Sequence, residues 1–151
     1  MSTRKVTSMP VKQIVTDPEV LSNVSAPVGD ETKIKQILAD LLDTATANRG
    51  VCAGLAAIQL GEAARIFIVR DQNGFVPFVN PQLQYLGRTI PSTEGCLSFP
   101  KKKKMVKRFS KIAVRDDLNG KVVFEGDLAV AIQHEFDHLD GKTIFDNRAS
   151  A

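Results

Sequence analysis

Residues 127–141 read Asp-Leu-Ala-Val-Ala-Ile-Gln-His-Glu-Phe-Asp-His-Leu-Asp-Gly, and this stretch decides the fold. Asp127 is placed to cap a helix running from about 128 to 139, with Gly141 as its stop. Residues 128–132 are apolar all round. A helix without a polar face there is buried, so the rest of the chain is expected to wrap it. His134 and His138 stand four apart, and at 3.6 residues per turn positions i and i+4 share one face. Both imidazoles can therefore hold one metal ion. Glu135 leaves the helix beside that face, within reach of a metal-bound water, as the His-Glu-x-x-His pattern requires. The chain has two histidines, and both are here.

A catalytic metal site takes three protein ligands and keeps one position open. Common metalloproteases with this pattern draw the third ligand from a downstream Glu or His. Here thirteen residues follow His138, and their only carboxylate side chains are Asp140 and Asp146, both close behind the helix. Upstream, Glu94-Gly95-Cys96-Leu97-Ser98 offers a better donor. A cysteine thiolate binds divalent metals strongly, and Gly95 lets the backbone approach closely. Alone, Cys96 reads as a small packed hydrophobe. Beside two histidines that lack a third ligand, it reads as that ligand.

Working outward, residues 111–116 alternate polar and apolar, Asn119-Gly120 turns, and residues 121–125 return as a hairpin. A second hairpin joins 65–71 to 75–79 through Asn73-Gly74. Asp30 is expected to cap a helix over 31–48, whose Ile34, Ile37, Leu38, Leu41, Leu42 and Ala45 form one face, with Gly50 as its stop. Residues 1–29 look irregular, broken by Pro10, Pro18, Pro27 and Gly29. The expected class is α+β: antiparallel sheets around one buried helix, in a single domain over 1–151.

Composition is that of a globular protein, with 43% hydrophobic and 25% charged residues. No apolar run spans a bilayer, and residues 1–5 lead into no secretory signal. Two cysteines without a signal argue against a disulfide framework. The net charge of +3 is concentrated at Lys101, Lys102, Lys103 and Lys104. That run reads as a solvated loop or strand edge, or as a contact for an anionic partner such as ribosomal RNA or a carboxylate. It lacks the interleaved aromatics of a single-strand binder, so no specific nucleic acid is expected.

Three blocks resemble the signature of peptide deformylases: Gly54-Leu55-Ala56-Ala57-Ile58-Gln59, Glu94-Gly95-Cys96-Leu97-Ser98 and Gln133-His134-Glu135-Phe136-Asp137-His138. Asp17-Pro18-Glu19-Val20-Leu21 and Val79-Asn80-Pro81 look like further landmarks. The likeness runs over nearly the whole chain in the right order. It implies removal of the N-formyl group from the initiator methionine of nascent polypeptides, releasing formate. It implies one divalent ion, Fe(II) natively, with zinc, nickel or cobalt able to substitute. Hydroxide formed on that ion would attack the formyl carbon, with Glu135 as general base and then acid. Gln59 and the Leu97 N–H would stabilise the oxyanion. Ala53, Val130 and Ala131 would line the methionine pocket, beside Gly54, Glu94 and Gly95. Glu94 would anchor the loop or its cysteine, and Lys103 would touch peptide backbone or carboxylate. Asp137 could orient a ligand histidine or pair with Arg108.

The resemblance also implies a monomer in the cytoplasm (the host's, if phage-encoded), without a membrane partner. Two departures stand out. Cys52 replaces a glycine usual in relatives and is expected to narrow the cleft or to alter backbone geometry, which leaves the peptide preference open. The chain ends soon after Phe145, where many relatives carry a further helix linked to ribosome docking, as in short phage-encoded forms. Ribosome contact is then transient. The rival readings are a zinc endopeptidase, which the missing downstream ligand opposes, and a silent binding module, which retention of Glu135, Gln59 and three ligands opposes.

Overall fold

The computed structural model describes residues 12–146; the readings of residues 1–5 and of Pro10 lie outside the described residues. The irregular start contains one helical turn, α1 (Pro18–Leu21). Asp17 starts it by accepting the Glu19 N–H at 2.9 Å, and Pro18 sits where no N–H is needed. This corrects the expectation of irregular chain up to residue 29. α2 (Glu31–Ala47) follows, with the Asp30 carboxylate accepting the Thr32 and Lys33 N–H groups. It ends at Asn48, so Gly50 falls in the turn beyond and is not the stop.

The small-residue stretch of the first signature block forms β1 (Gly54–Ala56) and a 3₁₀ turn (Ala57–Leu60). With β2 (Ile66–Asp71) and β3 (Gly74–Val79) it builds an antiparallel sheet in the order β1-β2-β3. β2 is buried on both faces. Phe67 and Val69 join one core with Leu21, Ile58, Phe78 and Ile132. Ile66 and Ile68 join another with Ile37, Leu41 and Ala45 of α2. Burial on both sides is why this strand is apolar without alternation. Asn80, the landmark after β3, adopts φ 51° and bonds both the N–H and the C=O of Val28.

The second sheet, in the order β4-β5-β6, contains β4 (Gln82–Cys96), β5 (Phe99–Asp116) and β6 (Gly120–Glu125). The 111–125 hairpin is present, but β5 starts twelve residues earlier than expected, at Phe99, and β4 was not expected at all. The two strands pair from Gln82↔Arg115 to Cys96↔Phe99. Glu94, Gly95 and Cys96 thus lie on a strand end and the four lysines on β5; only Leu97 and Ser98 turn. β4 is an edge strand, where Pro91 is tolerated. Register shifts fall at Leu86/Thr89 and at Gly95/Cys96.

α3 (Gly126–Leu139) packs against both sheets, touching β1, β2, β5 and β6. Its N-cap is Glu125, without a side-chain bond; Asp127 lies in the first turn, where negative charge favours the helix dipole. Ala129 and Ile132 are fully buried, while Val130 and Ala131 are half-buried and line a cleft. The apolar half is therefore wall as well as core. Gln133 pins the helix to β5: its Oε1 accepts the Phe109 N–H and its Nε2 donates to the Phe109 carbonyl, both at 2.8 Å. Arg65 holds the helix end, donating to the carbonyls of Leu139 and Ser25 and to Asp140. Among the described residues no helix is long and apolar enough to cross a membrane.

Gly141 follows at φ 74°, and a Cβ there would run into the Ser22 carbonyl. Left-handed strain and overpacking add, so Gly141→Ala should lower the unfolding free energy by about 2–4 kcal/mol. Urea denaturation checks this; an unchanged midpoint would remove Gly141 as the clasp between α3 and α1.

Candidate metal centre

α3 and the end of β4 converge on one point. Ligand atoms of Cys96, His134 and His138 all lie within 4.8 Å of one another. Cys96 Sγ is 3.6 Å from His138 Nε2. His138 is fully buried at the back; Cys96 and His134 line the cleft. One sulfur and two imidazole nitrogens form a donor set suited to a borderline divalent metal. The downstream carboxylates are engaged elsewhere: Asp140 with Arg65, and Asp146 with the Thr143 N–H. Both cysteines are free.

His134 is aimed by its neighbours. Its Nδ1 lies 2.9 Å from Glu94 Oε1, which leaves Nε2 for the site. Arg108 grips Glu94 with two bonds, at 2.9 and 2.7 Å, and reaches Asp137 at 2.6 Å. So Asp137 pairs with Arg108, and Glu94 orients the histidine. Burial disfavours the Glu94 carboxylate, but the bonds from Arg108 and His134 outweigh it and bring its pKa down to about 2. The histidines diverge. Burial lowers both, but bonds to Cys96 and Glu94 push His134 up to about 10, while His138 falls to about 3.

Glu135 has the opposite environment to Glu94. Burial, opposed by His134, pushes its carboxyl up to about 7. Its Oε1 is buried and has no hydrogen-bond partner among the described residues. Gly54 makes room for it: a Cβ on Gly54 would lie 2.8 Å from Glu135 Oε2. Gln59 is oriented by the backbone. Its Oε1 accepts the Ala56 N–H at 2.9 Å, so its Nε2 faces Ser98 Oγ at 3.1 Å and Cys96 Sγ at 3.6 Å.

Ala53, Gly54, Glu94, Gly95, Val130 and Ala131 all line the cleft, about 1000 Å³ in volume, with Gln59, Leu97 and Glu135. Cys52 does not. It is 1% exposed, packs with the core beneath α2 and lies 3.3 Å from the Gly54 carbonyl. Burial first, then the Glu135 charge, push its thiol up to about 12. The expected narrowing of the cleft is therefore corrected, because the side chain points to the core. The sequence reading gave no role to Ser98 or Gln133 and saw Arg108 only as a partner for Asp137. A buried-face arginine two residues after Val106 was the available signal, but it needed the unseen strand to be read.

The polypeptide deformylase family model matches residues 11–151. A peptide deformylase 1 of Clostridium perfringens is 40% identical over 138 residues, covering 87% of this chain and 92% of the relative. A peptide deformylase of Pelagibacter ubique is 40% identical over 152 residues, covering 91% and 86%. The crystal structure of peptide deformylase from Thermotoga maritima superposes with TM-score 0.81 at 34% identity, over 91% of this chain and 97% of that one. The chain belongs to the polypeptide deformylase family. Deformylases are metalloenzymes that remove the N-formyl group from nascent peptides, and this chain shares their fold of antiparallel sheets about a helix. A class I type b peptide deformylase from Acinetobacter baumannii matches with TM-score 0.81 at 29% identity, over 91% of this chain and 99% of that one.

Arg108→Ala would strand two buried carboxylates. Stability should fall by about 3–5 kcal/mol, and metal affinity by roughly 10- to 100-fold as His134 loses its brace. Urea unfolding and metal analysis read the two effects separately.

Proposed function

We propose that this deformylase acts as a single catalytic unit over residues 1–151, with Cys96, His134 and His138 holding one divalent ion and Glu135 moving the proton. The unpartnered Oε1 of Glu135, buried beside the three donors, carries this reading. A buried acceptor without a protein donor is built for a water or a reacting group. Bound at these donors, the ion would supply Lewis acidity, lowering the pKa of a water to roughly 7 and polarising the formyl carbonyl.

Glu135 takes the water proton on a carboxylate oxygen and returns it to the departing amine. A pKa near neutrality suits both tasks. The formyl C–N bond breaks, formate keeps the water oxygen, and the peptide leaves with a free amino terminus. Gln59 Nε2 and the Leu97 backbone N–H donate to the oxygen where negative charge grows; one such donor is worth about 3 kcal/mol of barrier. The methionine side chain lies against Ala53, Val130 and Ala131. Gly54 and Gly95, lacking side chains, leave the peptide a path. Glu94 serves by aiming His134, and only indirectly shapes the cleft.

The finer reading, supported by the resemblance, takes Fe(II) as the native ion, a monomer as the working form, the cytoplasm as its place and transient ribosome contact. Against the endopeptidase alternative stands the engagement elsewhere of Asp140 and Asp146, the carboxylates downstream of His138 among the described residues.

The deciding experiment is formate release from a formyl-Met tripeptide alongside casein cleavage, with the metal content measured. Formate without casein cleavage is expected; the reverse result would discard deformylation. Glu135→Gln should retain the ion and lose about 10²- to 10⁴-fold in kcat. Near-normal turnover would discard the proton role. Cys96→Ser should lose metal on dialysis while staying folded by circular dichroism; unchanged metal content would take Cys96 out of the ligand set.

A further inference from the structure

The cleft is charged unevenly. Lys101, Lys102 and Lys103 line it from β5. Its acidic lining residues are Glu94, Glu135 and Asp127. Glu94 is neutralised by Arg108, and Glu135 is buried, so among the described lining residues Asp127 alone opposes three lysines. Among the described residues none of those three lysines forms an ion pair. Lys104 differs: it does not line the cleft, and its ammonium lies 5.8 Å from the Phe145 ring centre.

The backbone explains why neighbouring lysines share one cleft. A regular strand would send Lys101, Lys102 and Lys103 to alternate faces. Lys101 instead has φ 66°, left-handed for a residue with a side chain, and breaks that alternation. Lys103 pairs with Gly95, next to Cys96. The Lys103 stem runs beside Gly95, within ordinary contact distance: a Cβ there would be 3.9 Å from Lys103 Cγ.

We infer that Lys101, Lys102 and Lys103 select formyl peptides that carry a carboxylate within the first few residues after methionine. This rests on the proposed reaction at Cys96, His134, His138 and Glu135. Extended peptide rises about 3.4 Å per residue, so residues two to four lie within about 14 Å of the formyl carbon. The carboxylate comes from an Asp or Glu side chain or from the end of a short peptide. A solvent-exposed pair contributes a factor of about five at most, and salt screens it. The gain therefore belongs mainly to KM.

The test measures formate release by the metal-loaded enzyme from formyl-Met-Ala-Gln, formyl-Met-Ala-Glu and formyl-Met-Ala-Lys, each as an amide and as a free acid. The expected kcat/KM order is Glu over Gln over Lys, with about five-fold per step, collapsing toward equality at about 0.5 M salt. A preference kept among the amides assigns the side chain as the source; each free acid exceeding its own amide assigns the chain end. The double charge reversal Lys102→Glu with Lys103→Glu should turn the preference toward the Lys peptide, a gain that a misfolded variant cannot produce. Equal kcat/KM for all six peptides at low salt, or an acidic preference unmoved by charge reversal, overturns the inference. No formate from any peptide would instead sink the underlying deformylase reading.

Discussion

The Arg108 guanidinium lies buried between two carboxylates, Glu94 from β4 and Asp137 from α3. The candidate metal centre depends on this ionic clamp, because it joins the strand that carries Cys96 to the helix that carries both histidines. Taking three charges out of water is costly, and it is tolerated only where each donor and acceptor is matched. Here the matching extends through Glu94 to His134 Nδ1. A charged network thus replaces what an apolar contact could not give: a fixed rotation of the imidazole.

The same small volume holds two glutamates with opposite fates. Glu94 receives two bonds from Arg108 and one from His134, and its carboxyl stays ionised. Glu135, one position after His134, has burial without a donor for Oε1, and its carboxyl rises toward neutrality. Residue type is identical, and environment divides the work. One is suited to hold a ligand still, and the other to pass a proton.

Space is allotted as carefully as charge. Gly54 gives its side-chain volume to Glu135. Gln59 is turned by a backbone N–H so that its donor faces the site. Cys52 does not disturb this arrangement, because at its position the chain turns the side chain toward α2.

The sequence alone determined whatever is written in short-range periodicity. The four-residue spacing of His134 and His138, the Asp30 cap, the apolar face of α2 and the hairpin at 111–125 each depend on neighbours within a turn or two. The grouping of Cys96 with the two histidines was also legible, through the missing third ligand, and the place of Gln59 and Leu97 at the cleft through resemblance. Only the tertiary structure decided the rest. The long β4–β5 pair hides in polar, proline-containing sequence because β4 is an edge strand with little buried on either face, so nothing imposes alternation on it. With that pair unseen, the Arg108–Glu94 pair and the convergence of three lysines on the cleft were unseen too, and the inward turn of Cys52 was equally hidden. Each is a contact between residues distant in the chain or a local choice of φ, and neither leaves a period in the sequence.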